Sequence, residues 1–415
     1  MAHPHKLALA GFAATAVSFG PGRIGFGLFL PRLRESFELS GFQAGLITSL
    51  AFAAFLIALP PGAGLARRFG PRRPVMLGAA LATAGFLIVA AAGNASLLAT
   101  GVALAVASAG CCWTPFNTAA EAALAPPQRA GVLSIISTGA SFGVLLAAAC
   151  YLIAVFLDGS WRPAWAVFAA MGALALALAG AGMPAGPVKT RRPVAGGPRW
   201  ALGLRKSGAG ALYAAALTFG AVNAIYLAYA ALRVVEQGGL AGPPDSAAAA
   251  IMFLSYGACG AVGMAAGWIE SRIGLPALLA AIFLAFAASH GLIAAAPGAW
   301  STVLISAGLH GAAVMGISAV LSFWSLRVFP GRGASAFTAA LIAAALGSML
   351  GPAAAGGVLA VAGTGAALTA AGLASLAAAA GFAFGAFRSA HCQSKARTGP
   401  APNARHQARS RHAAV

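Results

Sequence analysis

The sequence predicts an all-α polytopic membrane protein with twelve transmembrane helices in two pseudo-symmetric six-helix bundles. Its 415 residues are 60% hydrophobic and only 8% charged, whereas soluble domains are usually about 25% charged. The apolar stretches have the length of about 20 residues that a helix needs to cross a hydrocarbon core ~30 Å thick. They lack the alternating polarity of barrel strands, and most basic residues lie in the breaks between them.

The apolar stretches divide into six spans before residue 185 and six after residue 208. In chain order they are predicted at 7–31, 43–66, 74–92, 96–120, 131–157, 162–184, 209–232, 246–269, 275–296, 300–326, 334–361 and 364–387. This division gives an N-terminal bundle (1–184), a basic linker (185–208), a C-terminal bundle (209–387) and a tail (388–415). The tail has many basic residues and no apolar run, so we expect it to be disordered.

The basic residues lie mainly on one side of the predicted spans. A net charge of +19 would fit a nucleic-acid partner, but the charges do not form one face of a soluble unit. The positive-inside rule explains them and places both termini in the cytoplasm. We therefore expect a multi-pass monomer in the cytoplasmic (inner) membrane of a bacterium, with the lipid bilayer as partner and no nucleic acid.

The two halves of the chain repeat a short loop pattern. The segment after span 2 reads GLARRFGPRR (64–73), and the segment after span 8 reads GWIESRIGLP (267–276). Both place a basic residue two positions before a glycine, Arg68 before Gly70 and Arg272 before Gly274. This repetition indicates a duplicated six-helix unit.

Six plus six spans, cytoplasmic termini and a basic linker resemble the major facilitator superfamily. The family pattern after span 2 is roughly G-x-x-x-D-R-x-G-R-R, close to the sequence of residues 64–73. The resemblance covers about residues 7–387 and implies secondary transport by alternating access. It also implies a gating loop that contains Arg67, Arg68, Gly70, Arg72 and Arg73.

The acidic position of the family's gating loop is occupied here by Arg67. In the family, that carboxylate helps to hold the cytoplasmic gate. Glu121 ends span 4 on the same side, so Arg67 and Glu121 are candidates for the same pair with exchanged charges. The alternative is that Glu121 is a solvated residue at a helix end.

Glycines four residues apart predict close helix crossings in spans 5 and 11. They are Gly139-x-x-x-Gly143 and Gly347-x-x-x-Gly351, and small residues at this spacing let helix backbones approach. The family's antiporter signature in span 5 resembles G-x-x-x-G-P-x-x-G-G. Val144 replaces its proline, which weakens the case for a proton-driven drug antiporter without excluding it.

Arg23 is a charged residue within the first span. It follows Gly20-Pro21-Gly22, where proline removes a helix hydrogen bond. Charged residues inside a bilayer usually face a cavity, and interrupted helices form substrate sites in transporters. We therefore predict that Arg23 binds an anionic substrate. The alternative is that its side chain extends to the outer surface, about 12 Å away at 1.5 Å per residue.

Four further residues are predicted to bind substrate within the spans. Asn223 and Tyr226 lie three residues apart in span 7 and share a helix face, and His310 titrates near neutral pH in water. The fourth is Asn117 in span 4. Each could instead be a packed core residue, and His290, near the end of span 9, is expected at the membrane interface.

The missing residue types limit the function further. The seven carboxylates all lie in loops or at span ends, so coupling would need His310, a proton carried by the substrate, or no ion. Without a nucleotide-binding motif, a catalytic cluster or metal-ligand spacing, we expect no enzyme activity, no ATP-driven pumping, no metal and no other cofactor. The sequence predicts transport of a small solute, such as an organic anion. The alternatives are efflux of apolar drugs or toxic compounds and a membrane sensor without transport.

Overall fold

The computed structural model describes residues 4–39, 41–157, 159–187, 209–242, 244–330 and 332–398. Within these ranges the chain is helical without any strand, and twelve helices are long and apolar enough to span a membrane. Spans 1–12 are Pro4–Phe37, Leu46–Phe69, Arg72–Ala91, Ala95–Ala123, Pro126–Phe156, Arg162–Gly182, Ala209–Glu236, Ala247–Ile273, Leu275–Ala295, Trp300–Val328, Gly333–Leu359 and Val361–Phe384. The predicted fold class is confirmed.

Four irregular points interrupt these spans. Span 1 consists of helices Pro4–Phe19 and Pro21–Phe37, which meet at Gly20, as the glycine and proline there predict. Span 4 is interrupted at Trp113 and span 8 by the 3-10 turn Ala261–Ala265. The helix Gly333–Thr398 contains both spans 11 and 12, and its backbone is non-helical at Gly363, near the start of span 12, where φ is 80°.

Within each bundle, glycines bring an equivalent pair of spans into close contact. A Cβ atom at Gly139 would lie 2.2 Å from Phe12 O, and one at Gly143 would lie 1.9 Å from Ala16 O. Spans 1 and 5 are therefore packed backbone to backbone. Spans 7 and 11 repeat this arrangement, since a Cβ atom at Gly347 would lie 2.0 Å from Leu217 O.

The equivalent glycines of the repeated loops both have a positive φ. Gly70 has a φ of 88° and Gly274 a φ of 82°, a region that glycine enters without steric cost. A Cβ atom at Gly70 would also lie 1.9 Å from Gly186 O. We call the side of the molecule with Lys6, Gly70 and Gly186 the terminal face, and the side with Gly159 the opposite face.

The last helix extends beyond its predicted end. It continues to Thr398, so residues 388–398 of the tail predicted to be disordered are helical. Alanine and arginine in this segment are both good helix formers. Residues 188–208 of the predicted linker and 399–415 of the tail lie outside the described residues.

Candidate substrate site

A cavity of about 80 Å³ lies between the two bundles. Its lining is mostly apolar and comes from both halves of the chain, with polar groups from Arg23, Asn223, Tyr256, Ser318 and Ser348. Pockets for drug-sized ligands usually measure about 300–1,000 Å³. In this conformation the cavity is therefore suited to a small solute.

Arg23 lies on this cavity, three residues after the interruption at Gly20. Its guanidinium carbon lies 5.7 Å from the ring centres of both Phe52 and Phe55. Aromatic faces attract a cation within about 6 Å, and these rings hold the side chain beside the cavity. No hydrogen bond or ion pair joins the guanidinium to another described residue. Its charge and its donors thus remain available to an anion.

Asn223 connects the cavity to a buried polar network. Its amide oxygen lies 3.2 Å from His310 Nε2, and the other ring nitrogen of His310 lies 3.4 Å from Ser289 Oγ. The ring of Tyr226 stacks on that of His310 at 3.8 Å, and its hydroxyl bonds Ser306 Oγ at 2.9 Å. Only Asn223 among these residues lines the cavity, so Tyr226 and His310 lie behind it.

His290 packs against this network, 5.4 Å between ring centres from both Tyr226 and His310, rather than at an exposed membrane interface as expected. It is completely buried, and its two ring nitrogens lie 2.7 Å from Phe286 O and 3.1 Å from Val222 O. The sequence showed only a histidine near a span end. The fold buries it because spans 7, 10 and 12 pack around that end, with Gly372 against its Cβ atom.

Asn117 lies outside the cavity, where it joins the two bundles nearer the terminal face. Its amide nitrogen donates to Ser322 O at 3.1 Å and to Ser325 Oγ at 3.2 Å, while Ser322 Oγ donates to Asn117 Oδ1 at 2.6 Å. We call these three residues the amide latch. Thr338 to Thr114 and Gly267 to Ser134 add further hydrogen bonds between the bundles on this side.

The amide latch is part of a closure on one side of the membrane. Six hydrogen bonds between described side chains and backbone groups of the two bundles lie in the half nearer the terminal face. The structure is therefore closed at that face. This state is one of the two that alternating access requires.

The predicted gating loop contacts the start of span 11. Arg67 Nη1 donates to Ser335 Oγ at 3.5 Å, and no Arg67–Glu121 ion pair occurs between these two described residues. Glu121 Oε1 instead lies 3.0 Å from the position that a Cβ atom at Gly333 would take. The first turn of a helix has unpaired N–H groups and attracts negative charge, so this carboxylate suits the start of span 11.

The other basic residues of the loop pack on an aromatic ring and on a neighbouring span. The guanidinium carbons of Arg68 and Arg73 lie 5.1 Å and 4.7 Å from the ring centre of Phe69. Arg72 lies close to Gly180 at the end of span 6. These contacts lie within the N-terminal bundle, so they stabilise the loop rather than join the bundles.

Asn117→Ala is expected to shift the protein toward the conformation open at the terminal face. It removes three buried hydrogen bonds, each worth about 0.5–1.5 kcal/mol. A net loss of about 1–3 kcal/mol changes the ratio of the two states roughly 5- to 150-fold. Distances between spin labels on the two bundles measure this ratio. Asn94→Ala is the matched control, because Asn94 caps span 4 at the opposite face; equal ratios in both variants would contradict the assignment.

A family model described as Major Facilitator Superfamily matches residues 7–298. The chain belongs to the Major Facilitator Superfamily. Monocarboxylate transporter 11 of Mus musculus is 30% identical over 373 residues, with coverage of 83% of this chain and 79% of the mouse protein. The predicted family is confirmed.

Two solved structures show the same fold at low identity. The E. coli fucose:proton symporter FucP is 20% identical with a TM-score of 0.68, and the match covers 92% of this chain and 97% of that one. The human organic anion transporter MFSD10 is 17% identical with a TM-score of 0.72, and the match covers 91% of this chain and 99% of that one.

Membership in the Major Facilitator Superfamily establishes the general function. The chain is a multi-pass membrane protein that performs secondary transport of a small solute across the membrane, as predicted. Its family is one of transporters rather than enzymes. The cavity between the bundles has the place of a substrate site in a fold with alternating access.

Proposed function

We propose that this Major Facilitator Superfamily protein transports a small organic anion whose charged group binds Arg23. The position of Arg23 carries the proposal, because a guanidinium without an anionic partner lines the cavity between the bundles. An arginine binds a carboxylate through two parallel hydrogen bonds. The mouse relative is named a monocarboxylate transporter and a structural neighbour an organic anion transporter, which agrees with this substrate class.

Asn223 and Tyr256 would complete the site. Both side chains line the cavity with Arg23, and each can donate a hydrogen bond to a carboxylate or a hydroxyl group. Tyr226 and His310 would position Asn223 from the network behind it. The apolar remainder of the lining, including Phe55 and Phe337, would contact the carbon chain of the substrate.

The orientation and location of the protein form part of this proposal. We infer that the terminal face is cytoplasmic and that the membrane is the cytoplasmic membrane of a bacterium. Arg67, Arg68, Arg72 and Arg73 lie at the terminal face, and the positive-inside rule supports this orientation. Labelling of the variants Gly186→Cys and Gly159→Cys with a membrane-impermeant thiol reagent tests this orientation. Only the cysteine at position 159 should react from outside intact cells.

Uptake into proteoliposomes tests the substrate class. We expect labelled small carboxylates to enter faster than into protein-free liposomes, while uncharged amides of the same size should not. Uptake of the amides alone would contradict the proposal. Drug resistance on overexpression without carboxylate uptake would favour the efflux alternative, and binding without flux would favour a sensor.

A further inference from the structure

A second cavity opens at the opposite face of the C-terminal bundle. Its volume is about 770 Å³, and its lining includes Arg233, Glu236, Gly291, Ala294 and Thr364. We call it the outer vestibule. Its lining shares no residue with that of the substrate cavity. The C-terminal bundle thus has a cavity of its own.

The inner part of the outer vestibule reaches the neighbour of His290. Gly291 lines it and follows His290 directly in span 9. Arg233 Nη2 donates to Ala294 O at 3.2 Å, one helical turn nearer the opposite face. Glu236 accepts a hydrogen bond from Thr364 Oγ1 at the same end. Polar groups therefore extend from the opposite face to within one helical turn of His290.

The geometry of His290 is that of an imidazole with two protons. Both ring nitrogens face backbone carbonyl oxygens, Phe286 O at 2.7 Å and Val222 O at 3.1 Å. Carbonyl oxygens only accept hydrogen bonds, and a neutral imidazole has one N–H donor. Only the imidazolium form makes both bonds. A neutral ring would leave one nitrogen against a carbonyl oxygen without a proton between them.

The hydrogen bonds around His310 are satisfied by its neutral form. His310 Nε2 faces the amide oxygen of Asn223 at 3.2 Å and must donate to it. Its other nitrogen lies 3.4 Å from Ser289 Oγ, a hydroxyl that can donate to the lone pair of a neutral ring. The rings of His290 and His310 lie 5.4 Å apart. The contacts of His290, unlike those of His310, therefore require a second proton, and the neighbouring network reaches the substrate cavity through Asn223.

The titratable groups that face His290 are neutral ones. They are Tyr226 from span 7, 5.4 Å away between ring centres, and His310 from span 10. Tyr256 of span 8 lies beyond His310 at 6.0 Å, and span 12 contributes Gly372. Between the described residues no carboxylate bonds either histidine. A charge on His290 thus lacks a counter-ion in the chain, and an anion in the substrate cavity would supply one.

We propose that His290 binds the transported proton and that this proton enters from the outer vestibule, by a route separate from that of the substrate. The inference rests on the proposed transport of an anion. A proton from the solution at the opposite face binds a ring nitrogen lone pair of His290, which becomes an imidazolium. An anion then binds Arg23 and Asn223, and both charges cross together. Opening of the terminal face releases the anion and the proton.

Nitrogen NMR of the full chain with labelled histidine tests the site itself. We expect one buried imidazole to gain a proton on its second nitrogen as the pH is lowered from 7 toward about 5, a signal that disappears in His290→Gln but persists in His5→Gln, the exposed control. A spectrum in which His290 is neutral down to pH 5 would overturn the site. This measurement needs no substrate, so it stays decisive even if anion transport is disproved.

Transport assays with labelled lactate as the probe test the role in coupling. An acidic outer solution should raise lactate accumulation at least tenfold in the native protein. His290→Gln should lose this stimulation, whereas His5→Gln should keep it. Unchanged stimulation in His290→Gln would overturn the proposal. Absence of lactate uptake in the native protein would count against the proposed substrate class. The NMR measurement would then decide by itself whether His290 binds a proton.

A variant that narrows the outer vestibule tests the route without changing a titratable group. A side chain at Gly291 would meet no atom within 4 Å of its Cβ position, so Gly291→Leu should fold. The Gly291→Leu variant should slow the lactate uptake that a pH difference drives about tenfold. It should leave the exchange of labelled for unlabelled lactate at equal pH unchanged. Gly298→Leu is the matched control, since Gly298 is equally open and does not line the vestibule. Equal rates in the two variants would overturn a separate route.

Discussion

Replacing Arg23 by alanine is expected to raise the KM for a transported carboxylate roughly 30- to 150-fold. The guanidinium lines the cavity and has no anionic partner in the described chain. A charge-assisted hydrogen bond contributes about 1.5–3 kcal/mol, and a bidentate pair lies toward the upper part of that range. A loss of about 2–3 kcal/mol gives the stated factor, since 1.4 kcal/mol is tenfold. Initial rates in proteoliposomes measure it.

Two further variants separate binding from general damage. Arg23→Lys keeps the charge but loses the planar pair of donors, so its KM should fall between those of the native protein and Arg23→Ala. Arg162→Ala is the control, because Arg162 bonds Ala90 O at the opposite face, away from the cavity. Native kinetics in Arg23→Ala would remove the argument for an anionic substrate and favour efflux of an apolar compound.

Gly143→Ala is expected to cost at least about 2–3 kcal/mol of stability, which prevents normal assembly of the N-terminal bundle. The new Cβ atom would lie 1.9 Å from Ala16 O and 2.8 Å from the Cα atom of Gly20. Both neighbours are backbone atoms, so rotation of a side chain cannot relieve the clash. Overpacking in a well-packed core typically costs 1–3 kcal/mol or more. Thermal unfolding in detergent, followed by size-exclusion chromatography, measures the loss.

The C-terminal bundle offers both a repeat of this test and its control. Gly347→Ala should cause a similar loss, since its Cβ atom would lie 2.0 Å from Leu217 O. Gly356 lies on the same helix, and a Cβ atom there would meet no other atom within 4 Å. The free energy of unfolding of Gly356→Ala should therefore stay within about 0.5 kcal/mol of the native value. A stable, active Gly143→Ala protein would contradict the close crossing of spans 1 and 5.

The spans were predictable because the bilayer imposes one rule along the whole chain. Each crossing requires about 20 apolar residues, and the structure has helices where those residues occur. The interruption at Gly20 was equally visible, since glycine and proline determine the backbone locally. The close crossings at Gly143 and Gly347 followed from glycine spacing alone.

The polar contacts were less predictable because they depend on which residues of distant spans meet. Nothing in the sequence around Asn117 shows whether its side chain binds substrate or bonds Ser322, which lies 205 positions away. His290 lies near a span end in the sequence, yet packing buries it completely. Arg23 was predictable as a candidate, whereas the rings of Phe52 and Phe55 that hold it became visible only in the structure.

The amide latch has a consequence for how the transporter responds to its surroundings. Asn117, Ser322 and Ser325 carry no net charge, and mobile ions weaken attractions between exposed charges rather than between neutral dipoles. The ion pair of Arg327 with Glu270 joins two spans of the same bundle, so its weakening would leave the latch intact. The rate at which the amide latch opens should therefore vary little with ionic strength.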